Sequence, residues 1–129
     1  MIRYFFPAII WALIVLFLTL TPGQFFPKVD YWSITSLDKY IHFGIFFIQV
    51  WLLLWGEKRR KDHLAMHNYI IPFMLGTIFG IAIEYIQIMV PHRSFDVEDM
   101  IANSIGAALG AITFAIAIKI RRKKRNSVF

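Results

Sequence analysis

Asp38, Lys39, His42, Glu84, Gln87, Arg93, Asp96, Asp99 and Asn103 are ionisable or amide residues lying in or beside segments apolar enough to span a bilayer. A charge near the bilayer centre costs about 3 kcal/mol or more, so such residues face a bundle interior, where they mark a site or serve packing. Three chemistries suit them. Asp38, His42, Glu84 and Asp99 offer the nitrogen and oxygen ligands that zinc or manganese accepts, but no HExxH-like spacing backs a metal, and neither metal nor cofactor is expected. Acid–base chemistry would make His42 the proton carrier, since imidazole is the side chain that ordinarily titrates near neutrality, with Glu84 and Asp99 orienting the ring. Recognition of an anionic amphiphile would use Arg93 and Lys39 as clamps on phosphate or carboxylate. Asp38, Gln87, Asp96 and Asn103 complete that binding set.

Each residue also has a packing role open to it. Ser36 and Asp38 can cap the second helix, and Asp96 with Asp99 three residues on has the form of a cap with an acidic first turn. His42, Gln49, Gln87 and Asn103 can serve as interhelical hydrogen-bond links, worth about 0.6 kcal/mol each. Glu84 and Arg93 can form a buried pair, which by itself argues neither stability nor function. Packing alone must then explain why so many polar groups fall in one layer.

The elements that deliver these residues follow from hydropathy. The chain of 129 residues is 58% hydrophobic, has a mean hydropathy of +0.59 and contains no cysteine. That composition excludes a disulfide framework and thiolate chemistry and points to one membrane unit over residues 1–129. A span needs about 20 apolar residues. Four stretches, 4–20, 37–55, 69–90 and 99–118, predict an all-α bundle of four transmembrane helices. The first is expected to be an uncleaved anchor, because no small-x-small cleavage site follows it.

Arg3, Lys58, Arg59, Arg60, Lys61, Lys119 and the basic residues of 121–125 fall on one side of that arrangement, against Lys28, Lys39 and Arg93 on the other. The positive-inside rule therefore predicts both termini in the cytoplasm of a multi-pass cell-membrane protein. The basic tail 119–129 is explained as an anchor on anionic headgroups, and no nucleic-acid partner is expected. Trp51, Trp55 and Tyr69 at the inner face, and Tyr31, Trp32 and Tyr85 at the outer, suit aromatic belts. With helices alternating in direction, the nine polar residues meet in one shallow outer layer. Gly76, Gly80 and Glu84, like Ala102, Gly106 and Gly110, recur every four residues and predict close helix contacts.

Asp38-Lys39-x-x-His42-Phe43, Glu84-x-x-Gln87, Arg93-Ser94-x-Asp96-x-x-Asp99 and Asn103-x-x-Gly106-x-x-x-Gly110 together resemble the signature of the VanZ-like membrane proteins. The match runs from Leu37 to Gly110, and the preceding span and Thr21-Pro22 also suit the family. The resemblance implies a small polytopic bacterial membrane protein related to the accessory factor of teicoplanin-type glycopeptide resistance. The expected function is an envelope factor that binds or modifies an amphiphile at the outer leaflet, such as a lipid-linked wall precursor or a glycopeptide antibiotic. Two alternatives stand beside it: an enzyme acting on a lipid phosphate or acyl group, and a structural partner of another membrane protein. Oligomeric state stays open.

Overall fold

The computed structural model describes residues 1–25 and 31–127, and the side chains of all but 31–36 among them. Lys28 and the side chains of Tyr31, Trp32 and Ser36 therefore lie outside the described residues. Four helices follow in order: α1 (Phe6–Leu20), α2 (Tyr31–Arg60), α3 (His67–Gln87) and α4 (Val97–Asn126), with single 3-10 turns at Ile2–Tyr4 and Gly23–Phe25. Leu37–Arg60, His67–Gln87 and Val97–Asn126 are long and apolar enough to cross a membrane. With 15 residues, α1 is more apolar but shorter, reaching about 22 Å at 1.5 Å per residue.

Helix ends differ from the sequence expectation for identifiable reasons. Because α2 begins at Tyr31, Asp38 sits inside it and does not cap it. Lys58–Arg60 extend α2, and the basic residues after Ile118 extend α4 to Asn126, so neither run is loop or free tail. Lys and Arg are good helix formers, and cations suit the negative end of the helix dipole. At the other boundary α3 stops at Gln87, before the expected Val90. Pro91 disfavours helix in the residue before it, and His92 adopts φ 59°, a left-handed conformation that reverses the chain into α4.

The helices alternate in direction. Met1 lies beside Arg60 and the backbone of Tyr4 beside Gly56, which puts the start of α1 at the end of α2. Arg122 contacts His63 there too, so both termini and most of the cations share one end, the basic end. Buried Glu57 organises it, pairing with Arg60 at 2.7 Å and Lys61 at 3.1 Å and accepting from Asn68 Nδ2 at 2.9 Å.

α2 and α4 form the most extensive contact. A Cβ on Gly106 would run into the carbonyl oxygen of Phe43, and one on Gly110 would lie 2.8 Å from the carbonyl oxygen of Phe47. The small-residue stripe of α4 thus lies directly on the backbone of α2. Gly80 of α3 faces Asn103, and Gly76 faces Val50. Trp51 donates to Thr113 at 3.0 Å and meets Phe114 edge-on at 4.9 Å. On α1, Trp11 donates to the Ile45 carbonyl at 3.0 Å and Ala8 accepts from Gln49 at 3.4 Å. Val15, Phe46 and Ile83 fill one core cluster, and Val50, Leu54, Ala107 and Phe114 another. Outside them, Ile70, Met74 and Ile78 and then Ile101, Ile105 and Ile112 stay exposed at helical spacing, the perimeter a lipid-facing bundle requires.

Gly106→Leu should lower thermal stability in detergent by about 1–3 kcal/mol, the cost of forcing atoms into a filled contact. Gly44→Ala, where nothing lies within 4 Å of the added Cβ, should stay within about 0.5 kcal/mol. Parental stability in Gly106→Leu would contradict the backbone-level approach of α2 and α4.

Candidate functional site

At the end opposite the basic one, α2 contributes Asp38, Lys39 and His42, α3 contributes Glu84, and α4 contributes Asp99 and Asn103. Four of the six are buried: His42 at 5% exposure, Glu84 at 0%, Asp99 at 5% and Asn103 at 1%. The register that sets Gly106 on Phe43 brings Asn103, one turn earlier on α4, against His42, one residue earlier on α2. Gly80 leaves Asn103 the room to enter.

His42 is the hub. Its Nδ1 lies 3.0 Å from Asn103 Oδ1 and 3.4 Å from Glu84 Oε1. Both of those are acceptors, so Nδ1 carries the proton and donates. With its oxygen turned to His42, the Asn103 amide presents its nitrogen to Glu84. The Glu84 carboxylate nevertheless makes no hydrogen bond of full geometry among the described residues. On the other side of the ring, Nε2 faces Asp38 Oδ1 and Asp99 Oδ2, each at 3.7 Å. That is too long for a hydrogen bond. The Nδ1 side is fully buried, whereas the Nε2 side opens toward half-exposed Asp38.

Lys39 forms the rim. Its ammonium lies 2.8 Å from Glu98, 3.4 Å from Asp96 and 3.5 Å from Asp99. Three carboxylates occupy the cation that the sequence offered as an anion clamp. Glu98, its nearest partner, was not among the sequence candidates; the signal was there in its place beside a capping aspartate. Asp96 caps α4, accepting from the Glu98 N–H at 2.8 Å. Burial pushes the Asp96 carboxyl upward, but the Glu98 N–H and the Lys39 ammonium outweigh it and hold the group below the usual carboxylate range.

Gln87 is buried and reaches α1, its Nε2 3.5 Å from the Thr19 carbonyl. Arg93 lies half-buried in the turn between α3 and α4. A cavity of about 720 Å³ opens elsewhere, at the basic end, between Trp51 and Trp55 of α2 and Arg121, Arg122 and Arg125 of α4. None of the residues of the His42 cluster lines it.

A bundle with three membrane-length helices and a buried ionisable cluster at one end is that of a multi-pass membrane protein. The chain belongs to the VanZ/LLP1 family, whose family model matches residues 4–118. An uncharacterized protein of the fission yeast Schizosaccharomyces pombe is 28% identical over 90 residues, which is 67% of this chain and 52% of that protein. The chain thus spans about half the length of the curated relative it matches. No solved structure matches.

Asp96→Ala should cost about 1 kcal/mol of stability at neutral pH, and Asp96→Asn much less, because asparagine also caps. Since the folded carboxyl titrates below its unfolded value, its contribution is present above the unfolded value and is lost as pH falls through the folded one. Melting curves of parent and Asp96→Ala should therefore converge in acid. A difference that grows in acid would contradict the cap.

Proposed function

We propose that this protein binds or modifies the headgroup of an anionic amphiphile at the membrane surface beside the His42 cluster. The carrying observation is the unequal pairing of the cluster. A layer built only for packing would bond both ring nitrogens of His42, yet Nε2 faces two carboxylates at 3.7 Å, one of them on half-exposed Asp38. Glu84 Oε1 and Oε2, Asp99 Oδ1 and Asn103 Nδ2 are buried without a hydrogen-bond partner among the described residues; such groups cost stability, and they persist where a ligand or a reaction uses them. We assign Arg93, half-buried in the turn between α3 and α4, to the anionic group of the ligand, since guanidinium suits phosphate and carboxylate.

In this reading the basic end lies at the cytoplasmic face of the cell membrane, which the positive-inside rule supports. The His42 cluster then faces the outer leaflet, where lipid-linked wall precursors and glycopeptide antibiotics are encountered. The open Nε2 side also favours the enzymatic version, chemistry on a lipid phosphate or acyl group, over a purely structural partnership.

Native mass spectrometry of protein purified in mild detergent tests the proposal. The parent should retain an anionic amphiphile, and Arg93→Gln should lose it by about tenfold or more, the effect of about 1.4 kcal/mol. His42→Gln should reach parental membrane abundance while losing any envelope phenotype, glycopeptide susceptibility included. An identical lipid complement in parent and Arg93→Gln, or loss of phenotype that only follows loss of protein, would overturn it.

A further inference from the structure

The open side of His42 has the geometry of a metal site. His42, Asp38 and Asp99 each offer a ligand atom within 4.8 Å of the other two, and Nε2 of His42 lies 3.7 Å from both Asp38 Oδ1 and Asp99 Oδ2. Metal–ligand bonds of about 2.0–2.2 Å at tetrahedral angles hold their donor atoms about 3.3–3.6 Å apart. Two edges of the triangle are close to that spacing already, and half-exposed Asp38 has the freedom to adjust the third.

Protonation and charge point the same way. In the neutral ring Nδ1 spends its proton on Asn103 Oδ1, and the Nε2 lone pair then faces two carboxylate oxygens. Three acceptors face one another, and among the described residues Nε2 has no hydrogen-bond partner. A histidine that ligates metal through one nitrogen normally donates the other N–H to a carbonyl or carboxylate, which fixes ring and tautomer. Asn103 and Glu84 supply that support here from a fully buried position. Among the described residues five carboxylates, on Asp38, Glu84, Asp96, Glu98 and Asp99, gather at this end against Lys39 and Arg93, three charges negative when all are ionised and His42 is neutral. Beside a membrane that excess is costly, and a divalent cation removes most of it.

We infer that Asp38, His42 and Asp99 bind one divalent transition-metal ion, with Asn103 and Glu84 orienting the imidazole. One imidazole and two carboxylates suit Zn2+ or Mn2+ and do not suit soft Cu(I). Three protein ligands leave a coordination position open, the arrangement of sites where a metal activates water or holds a substrate oxygen. The inference stands on the geometry of the cluster and holds whether or not an amphiphile is the substrate.

The full-length protein, purified in detergent and stripped with chelator, is titrated with Zn2+ and separately with Mn2+, followed by calorimetry and by metal content after gel filtration. The parent should bind about one equivalent of one of these ions. Asp99→Asn and His42→Gln should weaken binding by at least about tenfold, as loss of support around a metal ligand already does. Should either of those variants fail to fold, Asp38→Asn at the half-exposed edge decides, with the same tenfold loss expected. The double variant His63→Ala, His67→Ala at the basic end should bind as the parent does. No binding of either ion, parental binding in Asp38→Asn, or loss of binding in the His63, His67 variant would each overturn the inference.

Discussion

Without a Cβ at Gly106, α4 comes down onto the main chain of α2, and the rest of the polar end depends on that approach. Gly106 meets the Phe43 carbonyl and Gly110 the Phe47 carbonyl one turn on. The two contacts fix both the distance and the register of the helices. Asn103 and Asp99, on the same side of α4, then arrive on opposite sides of the His42 ring. Lipid gives apolar helices little reason to associate, so van der Waals contact between backbones has to supply the association. Larger residues at these positions would separate the helices and leave the polar groups apart.

Held in that register, the cluster is asymmetric. Asn103 links His42 to Glu84, which has no exposure at all, while Nε2 looks out between Asp99 and half-exposed Asp38. The asymmetry distinguishes this cluster from the network at the basic end. There Glu57 is satisfied by Arg60, Lys61 and Asn68, and the network's role is to hold the α2–α3 turn. Both involve buried acids beside a membrane boundary, but of the two, among the described residues, the first alone leaves buried carboxylate oxygens without a hydrogen bond.

Much of this was legible in the sequence. Hydropathy located the helices, charge put the basic runs at one end, and the four-residue spacing of Gly80 with Glu84 and of Asn103 after Asp99 placed the polar stripes on packed faces. Spacing along separate helices does not say which nitrogen of His42 meets which acid, because that depends on the register between α2 and α4. Gln87 turned to α1 for the same reason. Lys39 became a rim cation paired with Asp96, Glu98 and Asp99, since the cap at Asp96 brings the first turn of α4 to it. The lengths of α2 and α4 were underestimated because basic residues end a hydrophobic run without ending a helix.

The central claim is that His42 donates through Nδ1 to Asn103 and presents an unprotonated Nε2 to Asp38 and Asp99. Nitrogen-15 NMR of histidine-labelled protein in micelles, stripped of metal and with His63, His67 and His92 replaced, reads this directly. The account predicts one pyrrole-type and one pyridine-type resonance for His42, with the proton on Nδ1, and a change in that pattern in Asn103→Ala. A proton on Nε2 with Nδ1 bare, or a spectrum that Asn103→Ala leaves unchanged, would contradict it.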